Sequence, residues 1–219
     1  MILQDFIRSK TQKQRSSVKF LPWILILGLS VCLTTPSFCQ HKTETVKFEI
    51  SVLGMKIGDL DAKKYQVGDT VHYVAESEVR FWFFGSVDVE VFTHSKYVNG
   101  YLVKSLSRSN TNRGDFASTV HWDGKKYVVD AKSYKFENAE PVMERVKWSS
   151  TRTFFEELKG GETFISEVFG LTTKIDNPDP NVYSTTIEGN TNEYLYQSGK
   201  LQRVTLEHSV KNFQYKRLP

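Results

Sequence analysis

Apolar and polar residues alternate along most of the chain from residue 44 onward. Every second residue from Val46 to Val52 is apolar, and the residues between them are polar. The same period of two recurs in 71–81 and 87–97. Because successive side chains of a strand point to opposite faces, this pattern predicts strands with one buried and one solvated face.

Short turn motifs separate these runs and predict how the strands are joined. Asn99-Gly100 and Asp123-Gly124 favour type I′ turns, whose positive φ angles suit tight hairpins. The predicted strands lie near 44–53, 58–67, 70–82, 86–98, 101–110, 115–122, 125–136, 142–149, 171–176, 182–188, 193–197, 200–208 and 210–217. We therefore predict a mainly β fold, a curved antiparallel meander that forms a barrel or half-barrel.

One stretch, at about 150–170, departs from this alternation. Thr153 and Glu156 have the spacing of a helix capping box, and apolar residues follow at helical intervals up to Leu158. A second run, from Phe164 to Phe169, has the same helical spacing. We predict one or two short helices here, packed on the sheet because helices of two turns are not stable alone in water.

Residues 1–39 have the layout of a secretory signal peptide. Lys19 precedes an apolar run from Leu21 to Leu33, and small residues lead up to a cleavage site after Cys39. The run is shorter than the roughly 20 apolar residues of a membrane-spanning helix. We therefore predict a cleaved signal and no transmembrane span in the mature chain. The mature protein is expected in the periplasm or outside the cell, as a single antiparallel β domain over 40–219.

The start of this leader is longer than a signal requires. Because 18–39 alone makes a complete signal, we expect residues 1–17 to be a mis-assigned start and translation to begin at Val18.

The positive charge of the chain is confined to the leader. The chain has 29 Lys and Arg residues against 25 Asp and Glu. Five of those basic residues and a single acidic one lie in 1–39, so the remainder has no net charge. A neutral domain without a basic block argues against nucleic acid as a partner, because phosphate contacts need clustered Lys and Arg.

The residue types that hold metals or react as thiols are scarce. Both cysteines, Cys32 and Cys39, lie in the predicted leader, so the mature chain is expected to contain neither a disulfide nor a catalytic thiol. No two of the five histidines are spaced as metal ligands on one strand or helix. We predict no metal and no other cofactor.

The most unusual motif is the run of four aromatic residues from Phe81 to Phe84. Such a run cannot face one side of a strand only, so it is either buried on both faces or forms an apolar lining or rim that contacts a lipid-like ligand, a membrane or a partner. Phe154 and Phe155 in the predicted helix add two further aromatic rings. The predicted ligand-binding residues are Phe81, Trp82, Phe83, Phe84, Phe154 and Phe155.

A glycine-based motif gives the chain a family resemblance. The segment Phe48-Glu-Ile-Ser-Val-Leu-Gly54-Met-Lys-Ile-Gly58-Asp-Leu60, followed by strands around Tyr97-Val-Asn-Gly100, resembles the exported bacterial domain of unknown function 6134 over about 44–217. The chain is more distantly similar to domain of unknown function 3108. The resemblance implies a curved antiparallel β fold in the cell envelope and transfers no activity and no catalytic residue.

Three functional hypotheses follow from these patterns. The first is a non-catalytic binding or carrier module for an apolar small molecule, a lipid or a lipidic segment. The second is an envelope hydrolase acting on glycan or peptide, carried by carboxylates or by His94 and His121 brought together by the fold. The third is a scaffold that binds an envelope protein partner. Binding is favoured over catalysis because no catalytic constellation is visible and no residue is assigned a catalytic role.

Overall fold

The computed structural model describes residues 42–81, 87–207 and 212–219. The predicted signal peptide and three of the aromatic candidates, Trp82, Phe83 and Phe84, lie outside these residues. His41–Pro219 forms one compact unit.

Hairpin-connected strands make up most of the structure. They are β1 (Glu44–Val52), β2 (Met55–Val67), β3 (Thr70–Phe81), β4 (Val87–Val98), β5 (Tyr101–Thr111), β6 (Gly114–Trp122), β7 (Tyr127–Ser133), β8 (Phe136–Asn138), β9 (Trp148–Ser149), β10 (Thr163–Ile165), β11 (Thr172–Lys174), β12 (Asp176–Asp179), β13 (Val182–Ile187), β14 (Asn190–Gln197), β15 (Lys200–Leu206) and β16 (Phe213–Arg217). One helix among the described residues, α1, spans Ser150–Thr153. The predicted mainly β class is confirmed.

Thirteen of the described strands form a single sheet. Its order is β12-β13-β14-β15-β16-β1-β2-β3-β4-β5-β6-β7-β8, and every neighbouring pair is antiparallel. Because β12 and β8 end this order, the described strands form an open half-barrel rather than a closed barrel. A second, three-stranded sheet contains β11, β10 and β9.

One face of the large sheet carries the core, as the alternation predicted. Phe48 and Ile50 of β1, Leu102 of β5 and Val120 of β6 are fully buried on this inner face. The segment 146–170, hereafter the inner segment, contacts strands from both halves of the sheet. From one half of the sheet, Tyr196 of β14 donates a hydrogen bond to this segment. From the other half, Tyr97 of β4 and Ser118 of β6 each donate one. The sheet therefore curves around the inner segment.

A close approach of two strands explains one glycine of the family motif. Gly58 lies in β2 opposite Val79 of β3, next to a register shift between Ile50 and Ser51. A Cβ on Gly58 would collide with the backbone carbonyl of Glu78. The turn between the first two strands contains Gly54, which has φ +77°. Gly58 instead permits the packing of β2 on β3.

The inner segment differs from the predicted helices. The helix begins at Ser150 and not at Thr153, and Phe164 and Ile165 lie in strand β10. Thr163, Phe164 and Ile165 are all buried, and a short run buried on both faces has no period that separates a strand from a helix. The predicted strand at 142–149 is likewise reduced to β9 and an isolated bridge between Val142 and Tyr127.

Candidate binding cavity

A buried carboxylate holds the inner segment against the sheet. Glu167 is 1% exposed and accepts a hydrogen bond from Ser95 Oγ of β4 at 3.0 Å. It also accepts bonds from the backbone N–H of Ser150 at 2.9 Å and from the N–H and Oγ1 of Thr151 at 3.1 and 2.8 Å. The first backbone N–H groups of a helix lack partners within it, so Glu167 caps α1 from a distance in sequence.

A second carboxylate, Glu156, fixes the other side of the inner segment. Lys64 Nζ lies 2.8 Å from its Oε1, Arg152 contacts Oε2 at 2.6 and 2.9 Å, and Tyr73 donates a hydrogen bond to Oε1. Burial disfavours the charged form of Glu156, but the hydrogen bonds from Lys64, Tyr73 and Arg152 outweigh it and lower the pKa to about 2. Burial and the bond to Glu156 raise the pKa of Tyr73.

The inner segment does not cover the whole inner face, and a cavity of about 400 Å³ remains beside it. The cavity lies where β3, β5 and β15 end and where β4 and β16 begin, which we call the open end of the half-barrel. Its wall is mainly aliphatic and aromatic. The lining residues are Ile50, Ser77, Val79, Val89, Val91, Thr111, Asn112, Arg113, Tyr134, Leu206, Phe213 and Tyr215.

The cavity continues into a smaller, more polar recess of about 210 Å³. The two share Val89, Val91, Thr111 and Tyr134, and the recess adds hydroxyl groups such as those of Ser107 and Ser109. Burial raises the pKa of Tyr215 to about 12, so its hydroxyl is neutral at physiological pH. An apolar chamber with a few hydroxyls at one side suits a mainly apolar molecule with one polar group.

The predicted ligand-binding aromatics occupy different places. Phe81 ends β3, two residues beyond the lining residue Val79, and Trp82 to Phe84 continue the chain outside the described residues. Phe154 packs in the core with its ring 5.2 Å from that of Phe48. Phe155 is half-buried, 5.8 Å from the ring of Tyr73. The last two therefore support the inner segment and do not line the cavity, and a ligand contact by any of the six stays a prediction.

The alternating pattern places the lining residues on the inner face but does not show which inner residues stay uncovered. Val79, Val89 and Val91 alternate with charged residues and were placed on the apolar face of their strands. Strands β3 and β4 have 12 residues each, whereas the inner segment has one helix of four residues and strands of two and three. A short cover over long strands leaves part of the inner face uncovered, and these lengths are known only from the structure.

The two histidines proposed for hydrolysis are not brought together, whereas the carboxylates of Asp59, Asp61, Glu76, Glu78 and Glu90 line a separate, open recess of the sheet. His94 of β4 and His121 of β6 are separated by β5, and His94 Nε2 instead lies 2.9 Å from His72 Nδ1. Burial and Lys96 lower the pKa of His72, and burial, His72 and Lys96 lower that of His94. The part of the chain that the structure describes contains no group of three His, Cys, Asp or Glu residues placed to hold a metal.

No helix within the described ranges is long and apolar enough to cross a lipid bilayer.

Comparisons with known proteins place the chain in a family. A solved structure, that of a β-barrel-like protein of domain of unknown function DUF1849 from Brucella abortus, is similar with a TM-score of 0.49 and 10% sequence identity, covering 80% of this chain and 94% of that chain. A search of the curated proteins finds no match. The family model described as domain of unknown function (DUF6134) matches residues 48–218. The chain therefore belongs to the DUF6134 family.

Proposed function

We propose that the protein is an exported, non-catalytic carrier that holds an apolar small molecule or lipidic segment in the cavity at the open end. The observation that carries this proposal is the lining itself: a chamber of about 400 Å³ walled mainly by Val, Ile, Leu, Phe and Tyr side chains. Pockets for small organic molecules range from about 300 to 1,000 Å³ and are mostly apolar with a few polar groups. The size and composition of this cavity are within that range.

The absence of solvent-exposed charge on most of the wall supports an apolar occupant. Among the described residues of the lining, Arg113 is the one with a formal charge, and the other polar groups are those of Ser77, Thr111, Asn112 and the two tyrosines. An empty apolar chamber loses the packing contacts of its lining, whereas a bound hydrocarbon restores them. A ligand would therefore stabilise the protein as well as be transported by it.

Native mass spectrometry tests the proposal directly. The mature chain, residues 40–219, is purified from the cell envelope without detergent, and its mass is compared before and after extraction with organic solvent. We expect excess mass that the solvent removes. If the purified protein has only the mass of its polypeptide and also fails to bind an added fluorescent fatty acid, the carrier function is contradicted and the scaffold hypothesis is favoured.

A cavity-filling variant with a matched control locates the site. Val91→Phe places an aromatic ring in the chamber and reduces its volume. We therefore expect the affinity for the fluorescent fatty acid to fall several-fold. Glu90→Phe introduces the same ring at the preceding position of β4, whose exposed side chain points to the outer face. Equal losses in both variants would contradict binding in the cavity, provided that both unfold at the same denaturant concentration.

The predicted export is proposed together with the carrier function. N-terminal sequencing of the protein recovered from the envelope fraction is expected to begin at Gln40. A protein that retains Lys19 and the apolar run would contradict cleavage.

A further inference from the structure

The turn between β1 and β2 carries an apolar residue where turn geometry favours a polar one. Four two-residue hairpin turns share the same backbone, with the first residue at φ +50° to +52° and a following glycine at φ +73° to +77°. The first residues are Leu53, Asn99, Glu188 and Ser198. Asn is favourable in this left-handed conformation, whereas a bulky apolar residue is strained there. Leu53 is also 64% exposed, so neither turn geometry nor core packing accounts for it.

A second site with exposed apolar surface lies in the lining of the cavity. Tyr134, in the turn between β7 and β8, is 46% exposed although it lines the chamber. The guanidinium of Arg113 lies 5.0 Å and Lys135 Nζ lies 5.2 Å from the centroid of its ring. Within the described residues neither cation forms an ion pair with a carboxylate. An amphipathic ring between two available cations is therefore presented at the rim.

Both sites belong to the open end of the half-barrel. Val52, which precedes Leu53, is opposite Phe213 in the sheet, and Phe213 lines the cavity. Met55, at the start of β2, adds a further exposed apolar side chain to the same end. At the opposite end the hairpins turn through polar pairs, Gly68-Asp69 and Asn99-Gly100. Among the described turns of the open end, Asn112-Arg113 and Glu188-Gly189 are polar as well, so its exposed aliphatic side chains are those of Leu53 and Met55 around a single turn.

We propose that the open end docks on the surface of a lipid bilayer that contains anionic lipid; this docking rests on the proposed carrier function. Leu53 and Met55 would enter the acyl boundary, and Tyr134 would lie at the headgroup level, where its ring and hydroxyl meet different media. Arg113 and Lys135, without carboxylate partners, complement lipid phosphates. Apolar side chains on separate turns suit a deformable lipid surface better than a flat protein interface. An apolar ligand could then pass between bilayer and cavity without crossing water.

Vesicle flotation tests the docking. The protein purified from the envelope is mixed with vesicles of phosphatidylcholine, with or without phosphatidylglycerol, and the fraction that floats is measured. In Leu53→Asn the turn receives the residue that Asn99 already provides in an identical backbone, so the fold is retained. We expect vesicle partitioning to fall about tenfold, because one leucine no longer enters an apolar phase.

Two further variants separate docking from general surface effects. Val67→Asn removes a 49% exposed apolar residue from the opposite end and is expected to leave flotation unchanged. Arg113→Gln with Lys135→Gln is expected to abolish the preference for phosphatidylglycerol. Equal flotation of the native protein and Leu53→Asn, equal losses in Leu53→Asn and Val67→Asn, or a dimer that depends on Leu53 in place of vesicle binding would each overturn the proposal.

Binding of the fluorescent fatty acid without vesicles keeps the two proposals distinguishable. Leu53→Asn is expected to retain that binding. Flotation that depends on Leu53 without any fatty-acid binding would uphold the docking and contradict the carrier function. Fatty-acid binding without flotation would uphold the carrier function and overturn the docking.

Discussion

Thr151 and Glu167 are joined by two hydrogen bonds, because both the backbone N–H and Oγ1 of Thr151 donate to Oε1 of Glu167, at 3.1 and 2.8 Å. The other donors to this carboxylate, Ser95 Oγ and the N–H of Ser150, are also neutral. Within the described part of the chain, the hydrogen bonds to this buried acid therefore come from neutral donors and not from a cation. It ties three parts of the structure together: β4, the start of α1 and the chain that follows β10.

Replacing this acid should loosen the inner segment. Glu167→Gln replaces one of the two acceptor oxygens by an NH₂ group. Some of the donors on Ser95, Ser150 and Thr151 then have no acceptor in a buried site. We expect a loss of about 1–3 kcal/mol in the free energy of unfolding, measured by urea denaturation. Glu137→Gln, at an exposed position of β8, serves as the control and should have no effect. An unchanged unfolding midpoint for Glu167→Gln would show that the carboxylate is not needed to hold the segment.

Stability should fall in acid because of Glu156. Its pKa is lowered from 4.5 to about 2 in the folded protein, so folding favours the charged form. This contribution is complete above the pKa of the unfolded state and is lost as the pH falls from about 4.5 through 2. The midpoint of urea unfolding, measured at a series of pH values, is expected to decrease over that window. In Glu156→Gln this part of the pH dependence should disappear, whereas exposed Glu76→Gln should retain it.

Gly58 should tolerate no side chain. In Gly58→Ala the new methyl group meets the backbone carbonyl of Glu78, which cannot move without separating β2 from β3. We expect a loss of at least about 2 kcal/mol in unfolding free energy, as for other overpacked sites. Gly68→Ala, in a turn with φ +57° and no atom within reach of the methyl group, measures backbone strain alone, about 1–2 kcal/mol. A smaller effect at Gly58 than at Gly68 would contradict the steric explanation.

The aromatic run between β3 and β4 provides a test of the ligand-binding prediction made from the sequence. Trp82→Ser combined with Phe84→Ser is expected to abolish retention of the co-purified apolar molecule, because the run stands in the sequence between Val79 and Val89, which line the cavity. The unfolding midpoint should stay unchanged. Retention of the ligand by this variant would show that the run has no part in binding.

The strands could be predicted from the sequence because each half-buried strand repeats its pattern every two residues. β1, β3, β4 and β5 lie within two residues of their predicted bounds. The inner segment could not be predicted in the same way. The residues from Thr163 to Glu167 are all buried, so Phe164 and Ile165 show no period that separates a helix from a strand. In the sequence Glu167 is indistinguishable from an exposed acidic residue, because the residues next to it do not show that donors from distant parts of the chain surround it.

The cavity escaped prediction for a related reason. Alternation assigned Val79 and Val91 to the inner face, but whether an inner residue is covered depends on how far the inner segment extends. That extent is set by contacts between residues distant in sequence, such as Tyr97 with Ser149 and Tyr196 with Thr153. A single sequence contains no local signal for such contacts.

The pairing of β1 with β16 has a consequence for the order in which the domain can form. Phe48 lies opposite Arg217, so the first described strand acquires its second neighbour only from the last one. The hairpins from β1 to β8 can form one after another, but the pairing of β1 with β16 can form only after nearly the whole domain has been synthesised. Long-range pairings of this kind slow folding. A chain whose sheet is completed late in this way stays unfolded for longer after synthesis, and its exposed strand edges are open to other partners during that time.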